Sequence, residues 1–138
     1  MKKIVITGGI GYIGTELCKI YSGESWNNEI TVIDNRFISE RVNQLRKWNI
    51  NFVQADIRNI DHVKKYLNEA DVVHHLAGIT EVPRTEFELN DERDKELSDV
   101  AEKGTQVVLS ETPKDCKIIF PSTHVVFEGK KDLIKDIN

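Results

Sequence analysis

The residues of this chain best suited to chemistry lie in an early run, Thr7-Gly8-Gly9-Ile10-Gly11-Tyr12-Ile13-Gly14, and in acids spaced behind it. Glycines at this density, between the apolar run Ile4-Val5-Ile6 and a segment with helical spacing, form a phosphate cradle. N–H groups at the helix start face the anion, and the missing Cβ atoms let a pyrophosphate approach the backbone. GxGxxG can be read here in two ways, as Gly9, Gly11 and Gly14 or as Gly8, Gly11 and Gly14 at three-residue intervals. Twenty residues after Gly14 stands Asp34, closing the β-branched run Ile30-Thr31-Val32-Ile33. A carboxylate there accepts hydrogen bonds from the hydroxyls of an adenosine ribose. It also repels the extra phosphate of NADP, so NAD is the expected cofactor. Arg36 argues the other way, because a guanidinium pairs well with a 2′-phosphate. NADP is therefore kept as the less favoured alternative, with Arg36 read as a surface residue. The structural alternative is a glycine turn that only packs, with Asp34 a solvated loop acid.

Other clusters point to less. His74 and His75 are adjacent, so on a strand they face opposite sides, and His62 and His124 are scattered. No metal site is expected. Asp91, Glu92, Asp94 and Glu96 crowd a helix start and read as surface acids that complement the helix dipole. Cys18 and Cys116 form no CxxC pair and read as two thiols in a reducing, cytoplasmic setting. The net charge of −4 and the isolated lysine pairs give no stripe for nucleic acid. No apolar run reaches membrane-spanning length, and Met1-Lys2-Lys3 leads straight into a strand pattern.

The elements that must position these residues follow from hydrophobic period. A chain of 138 residues is one domain's worth, and its 39% hydrophobic and 30% charged content is that of a globular protein. Strands are expected over residues 3–7, 30–33, 51–54, 72–77 and 118–120. Between them, Ile13, Leu17 and Ile20-Tyr21 mark one helix face. Ile38, Val42, Leu45 and Trp48 mark a second, with Arg41, Arg46 and Lys47 turned outward. Ile60, Val63 and Leu67 mark a third. A long helix over residues 91–111 carries Leu97, Val100, Ala101, Gly104, Val107 and Val108 as its stripe, and Pro113 stops it. Gly104 costs about 1 kcal/mol relative to Ala in that helix, and close approach to the sheet is the expected compensation. Residues 79–90 show no period, and residues 130–138 are charged and weakly patterned. Alternating strands and helices without hairpin signals imply an α/β fold, a doubly wound parallel sheet of order 3-2-1-4-5. The cofactor belongs at the C-terminal strand ends, between strands one and four.

The run from Thr7 to Gly14 resembles the TGGxGYIG motif of the extended short-chain dehydrogenase/reductase family, the NAD-dependent nucleotide-sugar epimerases and dehydratases. Four later stretches agree in order and spacing. Asp34-Asn35 resembles the ribose-binding end of strand two, and Asp56-Ile57-Arg58 the Asp-aliphatic pair beside the adenine. His74-His75-Leu76-Ala77-Gly78 resembles the HLA(A/G) run along the cofactor, and Ser122-Thr123-His124-Val125-Val126-Phe127 the stretch with the catalytic hydroxyl. The resemblance implies a Rossmann-like domain that holds NAD through Gly8, Gly11, Tyr12, Ile13, Gly14, Asp34, Asn35, Asp56, Ile57, Leu76, Ala77 and Gly78. It also implies a cycle in which a sugar hydroxyl of a nucleotide-sugar substrate is oxidised and the hydride later returned. Thr123, or Ser122 beside it, matches the hydroxyl that steadies the substrate oxygen.

The departures from the family are specific. The tyrosines are Tyr12, Tyr21 and Tyr66, followed four residues on by Glu16, Ser25 and Ala70, so the YxxxK pair of the family is absent. A Tyr of ordinary pKa, about 10, is a poor base at neutral pH without a neighbouring cation. Where the family reads NVxGT, this sequence has Ala101-Glu102-Lys103-Gly104-Thr105, and VYG becomes Val126-Phe127-Glu128-Gly129. Residues 1–138 are therefore expected to be a single NAD-binding Rossmann domain, cut short after strand five and lacking the substrate-binding region. Such a piece is expected to be inert alone, and to associate with itself through the bared edge of strand five. Two other readings stay open: a stand-alone NAD-binding or sensing module without turnover, and a scaffold that keeps the fold for partner contacts only.

Overall fold

The computed structural model of the protein describes residues 1–23, 27–79 and 91–122. The expected elements at residues 24–25, 80–90 and 123–138 lie outside them. Among the described residues, five strands and four helices alternate: β1 (Lys2–Thr7), α1 (Tyr12–Gly23), β2 (Asn28–Asp34), α2 (Ser39–Lys47), β3 (Asn51–Gln54), α3 (Ile60–Leu67), β4 (Val72–His75), α4 (Asp91–Glu111) and β5 (Lys117–Ile119). The sheet is parallel with the order β3-β2-β1-β4-β5, as the sequence pattern implies. β1 is central, with Thr7 opposite Ile33 of β2 on one side and His75 of β4 on the other.

Period-two alternation along the strands feeds two cores. Ile4 and Ile6 of β1 join Ile30 and Val32 of β2 against Cys18, Leu45 and Ile50 on the face covered by α1 and α2. Val5, Ile33 and Val73 point the other way, against Val63, Leu67, Val100, Val107 and Val108 of α3 and α4. Strands covered on both faces must be apolar throughout, which is why β1 reads as an unbroken run. Each fully buried side chain, such as Ile6 or Val108, contributes about 1.5–3 kcal/mol of burial. Among the described residues, no helix is long and apolar enough to cross a membrane.

Several expected faces are rotated. In α1 the buried positions are Gly14 and Cys18, with Leu17 and Tyr21 half-buried, while Ile13 and Ile20 are 64% and 60% exposed. Gly14 is the cause, since it packs its backbone against the preceding turn and so fixes the phase of the helix. Leu97 and Ala101 of α4 and Ile60 of α3 are likewise exposed. β4 ends at His75 rather than Ala77, because its partner β1 ends at Thr7. β5 covers Lys117–Ile119 and leaves Phe120 beyond it.

α2 ends in a Schellman motif. The Asn49 N–H donates to the Arg46 carbonyl and the Ile50 N–H to the Leu45 carbonyl, with Asn49 in the left-handed region at φ 58°. Ile50 and Leu45 are both buried, so the motif turns the chain directly into β3.

Candidate cofactor site

The turn after β1 folds back on itself. The Gly8 N–H donates to the Ile33 carbonyl at 2.7 Å and the Gly11 N–H to the Gly8 carbonyl at 3.0 Å. Gly8 has φ +69°, and a Cβ there would stand 2.8 Å from the backbone of Leu76 and Ala77. A Cβ on Gly14 would stand 2.6 Å from Gly9 Cα, and one on Gly9 would run into Val32. Both readings of the glycine motif thus have physical content: Gly8 makes the turn and admits β4's exit, while Gly9 packs on β2. Gly11 faces outward, with Arg36 Nη2 the nearest side-chain atom to its would-be Cβ at 3.7 Å. The first helical bond of α1 runs from the Thr15 N–H to the Gly11 carbonyl, so the N–H groups of Tyr12, Ile13 and Gly14 precede it at the positive end of the helix. Arg41, expected to face solvent, instead reaches back from α2 and donates to the Ile10 carbonyl.

Asp34 is 4% exposed, so it is no solvated loop acid. Its Oδ2 accepts the Ile10 N–H at 3.3 Å, and its Oδ1 accepts the Arg36 N–H at 3.1 Å and the Arg36 Nε at 3.3 Å. A carboxylate offers about four lone-pair sites, and the remaining one is on Oδ2. Arg36 stays more than half exposed, as expected of a surface residue, while its guanidinium leans along the glycine turn toward Gly11.

Beside this corner lies a cleft of about 250 Å³ at the C-terminal strand ends. Eight of the expected residues line it together: Gly8, Asp34, Asn35, Asp56, Ile57, Leu76, Ala77 and Gly78. Gly11, Tyr12, Ile13 and Gly14 do not line it; they form the adjoining turn and the first turn of α1, with Tyr12 85% exposed. Ile33, Arg36, Ala55, Ile79, Glu96 and Val100 complete the lining. Glu96, read from sequence as one of several surface acids, is exposed but faces this cleft. Val100 follows it by one helical turn, and that spacing was the available signal.

The two histidines do face opposite sides. His74 Nε2 and the Tyr21 hydroxyl are 2.8 Å apart on the α1 face, with the rings edge to face. His75 is buried on the α4 face between Thr7 and Thr105. Thr7 Oγ1 accepts the Ala77 N–H at 3.2 Å and is hydrogen-bonded to His75 Nδ1 at 2.8 Å. The other ring nitrogen, Nε2, is hydrogen-bonded to Thr105 Oγ1 at 3.0 Å. Burial pushes the pKa of His75 down, in keeping with a neutral ring. This chain of bonds runs from α4 through β4 and β1 to the loop that lines the cleft. The Phe120 ring stacks on His75 at 5.5 Å. Ser122, two residues on, is exposed and does not line the cleft, and Thr123 lies outside the described residues. Cys18 is fully buried, with its thiol pushed up to about 12, so it stays protonated and unreactive.

A model of the 3-beta hydroxysteroid dehydrogenase/isomerase family matches residues 5–137. The chain belongs to this family. It thereby stands among the extended short-chain dehydrogenase/reductases, as the motif resemblance implies. Among curated members it is 30% identical over 128 residues to a UDP-N-acetyl-alpha-D-glucosaminuronate decarboxylase of Bacillus cytotoxicus, covering 91% of this chain and 38% of that protein. It is 30% identical over 150 residues to a UDP-glucose 4-epimerase of Neisseria meningitidis serogroup C, covering 99% of this chain and 42% of that one. The chain thus spans about two fifths of the length of these relatives. A solved UDP-glucose-4-epimerase from Stenotrophomonas maltophila, with bound NAD and formylated UDP-arabinopyranose, superposes with a TM-score of 0.72 at 21% identity. That match covers 92% of this chain and 38% of the epimerase, and it establishes the shared fold of the family.

Proposed function

We propose that this chain is the NAD-binding part of a nucleotide-sugar epimerase or dehydratase that works by transient oxidation of its substrate. The observation that carries the reading is the cleft itself, which joins a glycine turn too tight for Cβ atoms to a buried carboxylate and a second acid, Asp56. The fit to a dinucleotide is specific. Gly11 and the helix-start N–H groups suit a pyrophosphate. The open lone pair of Asp34 suits one ribose hydroxyl, and the Asp56–Ile57 edge suits a purine. Asp34, nearly buried and set at the end of β2, favours NAD over NADP. NAD, when bound, supplies a reversible hydride acceptor for a sugar carbinol. The residues of this chain bind and orient it, and Thr123 or Ser122 supplies the hydroxyl that steadies the substrate oxygen. The nucleotide-sugar substrate is supported by the two curated relatives named above.

Titration calorimetry of NAD into the 138-residue chain is expected to show binding that Gly11→Val abolishes. A wild-type chain that gives no binding heat, or a folded variant that binds as tightly, overturns the reading.

A second reading, a binding or sensing module without turnover, is favoured by one observation: no Tyr of this chain is followed by Lys at the fourth position. With NAD and UDP-glucose supplied, the 138-residue chain is expected to give no turnover above a protein-free blank. Steady conversion would exclude the module reading.

A further inference from the structure

Asp56 is held on three sides by a residue with no assigned part in the site. The Arg58 N–H donates to Asp56 Oδ1 at 2.9 Å, its Nε to Oδ1 at 3.0 Å, and its Nη2 to Oδ2 at 2.6 Å. The other arm of the guanidinium, Nη1, donates to Asp99 Oδ2 on α4 at 2.8 Å. Asp99 is steadied in turn by Lys103, one helical turn further on, at 2.6 Å. A planar guanidinium with five donors grips one carboxylate with two parallel N–H groups while a third serves the other, a geometry that a lysine ammonium does not reproduce. Arg58 holds the Asp56 carboxyl below the usual carboxylate range, chiefly through the side-chain hydrogen bond, so this acceptor is ionised at neutral pH.

The residues beside these contacts line the cleft: Ile57, between Asp56 and Arg58, on one wall, and Val100, next to Asp99, on the other. The Arg58–Asp99 bond therefore ties together two walls from distant parts of the chain. Three N–H donors on one carboxylate also fix which of its edges is left to face the cleft.

We propose that Arg58 is a positioning residue for the purine end of the cofactor, fixing the Asp56 carboxylate and the spacing of the two walls so that a 6-amino purine is selected over a 6-oxo purine. The inference rests on the cofactor reading above. A purine amino group donates to a fixed carboxylate oxygen, whereas a 6-oxo group turns a lone pair toward it. A carboxylate free to rotate can avoid that repulsion, and selectivity falls.

The test compares NAD with nicotinamide hypoxanthine dinucleotide by calorimetry on the wild-type chain, Arg58→Lys and Asp99→Asn, with folding checked by circular dichroism and thermal melting. The wild type is expected to prefer NAD by about tenfold, the scale of one hydrogen bond to a charged group. Arg58→Lys is expected to weaken NAD and bring the two affinities within about twofold, since the bidentate hold is lost. Asp99→Asn, at a position a third exposed, is expected to narrow the preference in a chain of near-normal stability. If the folded variants keep the wild-type ratio, or lose both affinities in proportion, the proposal is overturned and Arg58 is merely structural. Should Arg58→Lys fail to fold, the ratio for Asp99→Asn decides alone. A wild type that binds neither dinucleotide overturns the cofactor reading itself, a result distinct from an unchanged ratio.

Discussion

The Ile57 side chain fills the space that a Cβ on Gly104 would need, with Ile57 Cγ1 2.7 Å from that position. The compensation for a glycine inside α4 is thus close approach to the loop after β3, rather than to a strand. Ile57 also lines the candidate site, so helix packing and cleft shape meet at one side chain.

Gly104→Ala tests this relationship. Helix propensity alone would stabilise the variant by about 1 kcal/mol, but overpacking of this kind costs about 1–3 kcal/mol. The expected net result is a lower unfolding midpoint in urea, together with weaker NAD binding. Adding Ile57→Val, which removes Cδ1, should recover part of the loss. The double-mutant cycle measures the coupling.

Asp34 combines a structural and a selective role. Asp34→Ala leaves the buried Ile10 N–H without its acceptor, at about 1–3 kcal/mol, and frees Arg36 from its carboxylate. NAD affinity is expected to fall and NADP to become the better ligand of the two, read by parallel calorimetric titrations.

The acid sensitivity of the fold should trace in part to His75. Its pKa is lowered in the folded state by burial, from an ordinary value of 6.5. The unfolded chain therefore binds more protons below that value. The contribution of His75 is complete above pH 6.5 and is lost as the pH falls toward its folded pKa. His74 is lowered in the same direction, first by burial and then by Lys117. Urea unfolding at a series of pH values between neutral and acid should show stability declining as pH drops, with a shallower decline in His75→Gln.

Asn49 sits at φ 58°, where a Cβ other than that of Asn or Asp is strained. Asn49→Ala is expected to cost about 1–2 kcal/mol, while Asn49→Gly should be close to neutral. Thermal melting of the two variants side by side separates backbone strain from loss of the side chain.

Strand order and the corner formed by the glycine turn and Asp34 were legible because they rest on local chemistry. β-branched runs, a glycine turn and acids at strand ends declare themselves within a few residues. The phase of α1 was not legible, because counting apolar residues credits Ile13 and overlooks a glycine as the packed position. Val100 was readable as part of a helix stripe and Glu96 only as a surface acid, and a period cannot say that the stripe's edge meets a cleft. The Arg58–Asp99 bond was invisible for a simpler reason: adjacency shows that Arg58 can reach Asp56, while nothing in sequence brings α4 to it. Arg41 and the Ile10 carbonyl are a second case of that kind.

The central place of β1 also shapes how the polypeptide is born. Its first residues gain one neighbour when Asn28–Asp34 emerge from the ribosome, and the other only when Val72–His75 have followed. Translation at about 5–20 residues per second leaves that second edge bare for a matter of seconds. During that interval the nascent chain displays Ile4, Val5 and Ile6 on an unpaired strand, a template for wrong partners.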